Sequence, residues 1–246
     1  MISENIQIKP AAITKILGII LIVVVIANLV ACFPYMNKVA DIHGIGRVFS
    51  LDGERNIPTA YNVFLLLVPA ALLAFITYLH WKQTGKFSWY WAILAFGFTF
   101  MSMDEAWTIH EDIIDPLKEK LGNKNGTHHL GLLYNAWVLP GLGVVLLVAI
   151  SYIRFLMKLP RKIAIAFFVS GVIYVTGALV IEALDGAYEE VHGNNFIYKM
   201  MTTVEETMEM LGLILFIKAL LEYLALTYSD IKFTLVPKAP RQKRIT

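Results

Sequence analysis

Acidic and histidine side chains are concentrated in three stretches of this chain, each at the end of a long apolar run: 104–112, 182–192 and 202–209. Carboxylates and imidazoles without thiolates are ligands that suit iron, manganese or zinc. Neighbouring carboxylates can orient such ligands or move protons. The candidate metal ligands are Asp104, His110, Glu111, Glu182, Glu189, His192, Glu205 and Glu209, and the candidate catalytic groups are Glu105, Asp185 and Glu206.

The spacing of these residues favours convergence on helix faces. Four residues of the second stretch share one face of a helix, since they recur every three or four positions: Glu182, Asp185, Glu189 and His192. Glu189 and His192 also have the Glu-x-x-His spacing of carboxylate-bridged di-iron bundles. Such bundles carry two of these motifs, and here His110 and Glu111 would have to replace the second one.

Some of these residues have simpler explanations. Thr202 or Thr203 would make an N-cap, with Glu205 or Glu206 completing a capping box. The acidic and histidine residues of 189–192 would merely be solvated if they lie beyond the membrane. Four other acids lie inside the apolar pattern and have no capping role: Asp104, Glu105, Glu182 and Glu209. We therefore interpret these four as parts of one shared polar site.

The elements that must position these residues are membrane-spanning helices. The chain is 57% hydrophobic and only 16% charged, which is unusual for a soluble domain. A helix needs roughly 20 apolar residues to cross a bilayer core, and the runs lack the two-residue alternation of barrel strands. We predict an all-α polytopic membrane protein, a single domain over 1–246 with six spans in one bundle: 13–33, 59–79, 89–110, 131–155, 163–185 and 204–226.

Lys and Arg residues predict the orientation of these spans, because cytoplasmic loops are enriched in both. Basic residues recur before the first span, between spans two and three, and most densely at 154–162. The tail 229–246 is basic as well, so both termini are expected in the cytoplasm. The three acidic stretches then face the outer leaflet, where Lys199 or Arg47 would supply positive charge. The net charge of +2 gives no indication of nucleic-acid binding.

The only cysteine leaves an alternative for the first span. Leu29-Val30-Ala31-Cys32 resembles a bacterial lipobox, and lipidation there would leave five helices in the mature chain. An ordinary first span that ends in small residues is the interpretation we adopt.

Two motifs resemble a group of uncharacterised bacterial multi-span membrane proteins. They are Ser-x-Asp-Glu-x-x-x-x-His-Glu at 102–111 and Glu-Glu-x-x-Glu-x-x-Gly at 205–212. The resemblance runs from the second span onward and implies a protein of the bacterial inner membrane. It implies no activity, and the His-x-x-x-His pair of membrane lipid hydrolases is absent.

Metal-dependent catalysis in the outer leaflet is the leading hypothesis. A divalent iron, zinc or manganese ion would activate water for hydrolysis or, if redox-active, oxygen for oxidation. The depth of the site favours a lipid-like or hydrophobic substrate that enters from the bilayer. Intramembrane acids are also typical of proton-coupled or cation transporters. A non-catalytic assembly or binding protein is the second alternative, and the oligomeric state stays open.

Overall fold

The computed structural model describes residues 9–32, 44–109 and 129–228. These ranges contain helices and connecting turns, including one 3₁₀ turn at Gly131–Leu133, and no strand. The seven helices are α1 (Pro10–Ala31), α2 (Ile45–Phe49), α3 (Ile57–Thr84), α4 (Trp89–Trp107), α5 (Val138–Leu156), α6 (Arg161–His192) and α7 (Phe196–Thr227).

The predicted all-α membrane fold is confirmed over the described residues. Five helices are long and apolar enough to cross a membrane: α1, α3, α5, α6 and α7. Helix α4 corresponds to the third predicted span and has 19 residues, with Asp104 and Glu105 near its end. It packs antiparallel to α3: Ser102 Oγ, near the end of α4, donates to the Val63 carbonyl near the start of α3, while Trp91 and Ile76 belong to one buried cluster further along.

Local sequence signals set the ends of the longest helices. Asn56 caps α3, where its side chain accepts a hydrogen bond from Thr59 N at 3.0 Å, and Gly85 ends the helix with φ +68°. Asn195 caps α7 by accepting from the amides of Ile197 and Tyr198.

The capping box considered at Thr202 or Thr203 is therefore wrong. Helix α7 begins at Phe196, so Glu205 and Glu206 lie well inside it rather than in its first turn. The hydroxyls of Thr202 and Thr203 donate to carbonyls one turn back in the same helix. Capping consequently does not explain the two acids.

Helix α7 lies at the centre of the packing and contacts α1, α3 and α6. Its second half joins an aromatic cluster with Trp91, Phe155 and Phe167, near the basic connections 82–86 and 154–162. Its first half approaches the acidic ends of α4 and α6. We call these two regions the basic end and the acidic end of the bundle.

Candidate metal site

A cavity of about 370 Å³ lies at the acidic end of the bundle. The first turns of α3, the last turns of α4 and α6, and the first half of α7 form its walls, together with residues 51–54 and 135–137. Eight carboxylates line it: Asp52, Glu54, Glu105, Glu182, Asp185, Glu189, Glu205 and Glu206. The described lining holds no Lys, Arg or His.

Three of these carboxylates form a compact cluster, which we call the carboxylate triad: Glu182, Asp185 and Glu205. One carboxylate oxygen from each lies within 4.8 Å of the others. Asp185 and Glu205 are almost completely buried, with 2% and 5% of their surfaces exposed. Three anions at this separation repel one another strongly in a poorly hydrated site, so the triad requires protons or a bound cation.

Asp185 has an oxygen without a partner. Its Oδ2 lies 3.4 Å from the Thr202 hydroxyl, which shares its single proton with the Tyr198 carbonyl at 3.2 Å, whereas its buried Oδ1 has no hydrogen-bond partner. A buried carboxylate oxygen that is left unpaired carries a substantial desolvation penalty. Since Asp185 lines the cavity, an ion beside the triad would satisfy this oxygen.

A π-helical segment immediately precedes the triad in α6. Residues Thr176–Ile181 form the π turn, and Glu182 begins the α-helical continuation. Segments of this kind are frequent at functional sites, because the wider turn changes the direction of the side chains that follow. Gly177 within it also lets α7 approach closely: a Cβ there would lie 2.8 Å from the Glu205 carbonyl oxygen.

Residues 129–137 form a wall beside Glu182, which we call the Trp137 wall. Trp137 Nε1 donates to Glu182 Oε1 at 3.1 Å, and Asn135 Nδ2 donates to the Glu182 carbonyl at 3.2 Å. The Glu190 carboxylate fixes the start of the wall by accepting from the amides of Leu130 and Gly131 at 2.7 and 2.8 Å.

Tyr134 lies in the same wall. Burial raises the pKa of its phenol, and the negative charges of Glu189 and Glu190 raise that pKa further. The phenol therefore stays protonated at neutral pH and keeps a hydroxyl donor close to these carboxylates.

A buried lysine pairs with Asp52, one of the carboxylates that line the cavity. Lys199, with 6% of its surface exposed, forms an ion pair and hydrogen bond with Asp52. Asn28 links the segment that carries Asp52 to α7. Its Oδ1 accepts a hydrogen bond from Leu51 N at 2.9 Å, and its Nδ2 donates to Thr203 Oγ at 2.7 Å. Lys199 was one of two basic residues considered from the sequence, and the other, Arg47, is exposed.

The structure brings most of the sequence-predicted residues together. Six of them line the cavity: Glu105, Glu182, Asp185, Glu189, Glu205 and Glu206. Glu209 lies one turn deeper, where its Cγ would be 3.1 Å from a Cβ at Gly177.

Other candidates are placed elsewhere. Asp104 is half-buried and is not part of the lining. His192 is exposed and stacks on Tyr188 with ring centroids 4.3 Å apart. Of the Glu-x-x-His pair, only Glu189 therefore faces the cavity. His110 and Glu111 lie outside the described residues.

Sequence reasoning missed several residues of the site. Neither Trp137 nor Asn135 was among the predicted site residues. Asp52 and Glu54 were not among them either. All four come from connections between helices, where no periodicity indicates which way a side chain points.

The residues present fit a divalent ion with oxygen ligands. Besides its carboxylates, the lining offers the Thr202 hydroxyl, the Asn135 amide and the Tyr198 phenol. Carboxylate, carbonyl and water oxygens suit magnesium, calcium and manganese, whereas zinc sites are richer in nitrogen and sulfur. Among the predicted metals, which are iron, zinc and manganese, the described lining therefore favours manganese.

Comparison with known proteins identifies one related family. The model of a domain of unknown function, DUF8692, matches residues 17–224. No curated protein and no solved structure matches the chain. The resemblance to an uncharacterised family is thereby confirmed, while bacterial origin and the two motifs as family signatures stay predictions.

Proposed function

Because the chain belongs to the DUF8692 family, whose function is unknown, we propose a function from the cavity itself: the protein binds a divalent metal ion at the carboxylate triad. The observation that carries this proposal is the buried, unpartnered Asp185 Oδ1 beside two further carboxylates within 4.8 Å. Without a cation, this arrangement combines like-charge repulsion with an unsatisfied buried oxygen. A divalent ion relieves both penalties at once.

Manganese is the ion that we propose, with ferrous iron next among the predicted metals. The triad supplies carboxylate oxygens, and water in the cavity would complete a six-coordinate shell. Zinc is less suited, because the described lining contains no imidazole or thiolate.

A catalytic role on a hydrophobic substrate is the function that this metal site supports best. The cavity of about 370 Å³ is much larger than an ion, and a water molecule occupies about 30 Å³. Space therefore remains beside the triad for a substrate group and water. A divalent ion would lower the pKa of a water molecule for hydrolysis, and Glu105 and Glu206 line the same cavity as proton acceptors.

The position of the cavity in the bundle supports a substrate that arrives from the bilayer. The acidic ends of two long apolar helices, α6 and α7, contribute the triad. By the positive-inside rule, the basic connections at 82–86 and 154–162 belong in the cytoplasm. We therefore propose an inner-membrane protein with cytoplasmic termini and a cavity in the outer leaflet, where a lipid-like molecule is the natural substrate.

Cation transport is the weaker candidate. A transporter needs a hydrated path on both sides of its site, whereas the half of the bundle toward the basic end packs as an apolar and aromatic cluster around Trp91, Phe167 and Leu220. A purely structural role is also less suitable, because acids retained for assembly are expected to be paired, unlike Asp185 Oδ1.

Metal titration of the purified protein tests the proposal. After chelation, Mn²⁺ is added to the wild type and to Glu205→Gln in lipid nanodiscs, and binding is followed by calorimetry and electron paramagnetic resonance. We expect one tightly bound ion in the wild type and an affinity at least about tenfold lower in the variant, since a buried ligand is lost.

Glu222→Gln is the matched control. It is the same substitution in the same helix, at the basic end, where Glu222 pairs with Lys162 at 3.3 Å. Its Mn²⁺ affinity is expected to equal that of the wild type. Absence of bound Mn²⁺ from the wild type, or an equal loss in both variants, would contradict the proposed site.

A further inference from the structure

We propose that Trp137 is a positioning residue that makes the metal site selective for small divalent ions over calcium; this inference rests on the proposed metal site. The indole Nε1 donates to Glu182 Oε1 at 3.1 Å. This hydrogen bond takes up one lone pair of Glu182 Oε1, which makes that oxygen a weaker ligand than the second carboxylate oxygen. Glu182 consequently binds through a single oxygen.

The indole can enforce this arrangement because its own position is fixed. Its six-membered ring covers Gly141, where a Cβ would lie 2.9 Å from Trp137 Cζ3 and 3.1 Å from Leu179 Cδ2. The neighbouring Ala136 is completely buried. A side chain at Gly141 would therefore displace the indole.

Asn135 holds the backbone of the same glutamate. Its Nδ2 donates to the Glu182 carbonyl at 3.2 Å, and its side chain packs on Gly186, where a Cβ would lie 2.7 Å from Nδ2. Glu190 anchors the start of the wall through two amide hydrogen bonds. Glu182 is thus held at its carbonyl and at one carboxylate oxygen by a single segment.

Binding of Glu182 through a single oxygen distinguishes calcium from smaller divalent ions. Calcium takes six to eight oxygens at 2.3–2.6 Å and commonly uses a carboxylate in the bidentate mode. Smaller ions such as magnesium prefer six oxygens near 2.1 Å, which single carboxylate oxygens and water supply well. An indole that weakens one oxygen of Glu182 as a ligand disfavours the bidentate mode and therefore favours manganese or magnesium over calcium.

Paired titrations with Mn²⁺ and Ca²⁺ test the role of Trp137. The full-length protein in nanodiscs is compared with Trp137→Phe, which keeps an aromatic ring and removes the N–H donor. We expect the Mn²⁺ affinity to fall about tenfold, as for other groups that orient a metal ligand. The Ca²⁺ affinity is expected to hold or rise, so that the Mn²⁺/Ca²⁺ preference falls by more than tenfold.

Trp89→Phe is the matched control, because Trp89 is 69% exposed at the other end of the bundle and its loss should leave both affinities unchanged. An unchanged preference in Trp137→Phe, or an equal weakening for both ions, overturns the inference and leaves the metal site intact. Absence of Mn²⁺ binding in the wild type instead overturns the proposed function. Should Trp137→Phe fail to fold, Asn135→Ala is expected to shift the preference in the same direction by a smaller factor, and no shift overturns the inference.

Discussion

At the scale of single residues, Asp185 shows the conflict that the proposed metal site would create in a membrane bundle. Its carboxylate is 2% exposed, has an unpartnered oxygen and lies next to two other acids. Groups of this kind lower the stability of the metal-free fold and persist where function requires them. Removing the charge of Asp185 should therefore raise the stability of the metal-free protein and remove its ability to bind metal.

Asp185→Asn is predicted to stabilise the metal-free protein and to abolish its response to metal. The amide removes one buried negative charge and offers a donor to the neighbouring carboxylates, a net gain of about 1 kcal/mol. Thermal unfolding in detergent, with a chelator and with Mn²⁺, measures both effects. In the wild type, Mn²⁺ at about 100 times its Kd should add about 2.7 kcal/mol.

The variant should unfold at a higher temperature than the wild type with chelator and show no shift with Mn²⁺. A metal-free midpoint below that of the wild type would mean that Asp185 stabilises the fold. The proposed conflict at this residue would then be absent.

At the scale of elements, the sequence predicts which helices carry the site better than it predicts the complete lining. Repeats of three and four residues place Glu182, Asp185 and Glu189 on one helix face, and all three line the cavity. The same repeat included His192, but that residue lies in the last turn of α6, where it is exposed. The helical period shows which residues share a face of the helix. It does not show which of those residues reach the cavity.

The contributions from connecting segments could not be predicted. The loop that bears Asp52 and the wall that bears Trp137 are brought to the site by contacts between distant parts of the chain, including Leu51–Asn28 and Leu130–Glu190. No local pattern encodes such pairs. The π turn in α6 likewise has no composition signal, although it directly precedes Glu182.

Gly177→Ala is predicted to disrupt the contact between α6 and α7 at the site. The new Cβ would lie 2.8 Å from the Glu205 carbonyl oxygen and 3.2 Å from the Glu209 amide nitrogen. Because these are backbone atoms, the helices must separate, at a cost of about 1–3 kcal/mol. Unfolding midpoints and Mn²⁺ affinity should both fall.

Gly171→Ala in the same helix is the control, since a Cβ there meets nothing within 4 Å. Alanine is favoured over glycine in a helix by up to about 1 kcal/mol, so this variant should be unchanged or more stable. Equal effects of the two substitutions would mean that close helix approach does not matter at Gly177.

At the scale of the whole molecule, the two ends of the bundle differ in chemistry. The acidic end holds the eight-carboxylate cavity, and the basic end holds the aromatic cluster beside the Lys- and Arg-rich connections. By the positive-inside rule this asymmetry predicts the orientation in a membrane, because Lys and Arg near helix ends are enriched on the cytoplasmic side. The side on which the cavity opens follows from that orientation.

Labelling of single cysteines tests which side the cavity faces. The only native cysteine, Cys32, is 2% exposed, and burial raises the pKa of its thiol, so it should react slowly with maleimide. Exposed positions at the two ends are Asn194, between α6 and α7, and Lys86, between α3 and α4. In intact spheroplasts, a membrane-impermeant maleimide should label Asn194→Cys and leave Lys86→Cys unlabelled.

Permeabilisation should then make Lys86→Cys as reactive as Asn194→Cys, which controls for differences in local accessibility. The reverse pattern in intact spheroplasts would put the carboxylate cavity on the cytoplasmic side. A substrate would then have to come from the inner leaflet, and the charge rule would be overridden in this protein. Because the triad belongs to the fold whichever way the bundle is inserted, its affinity for Mn²⁺ would be the same under either orientation.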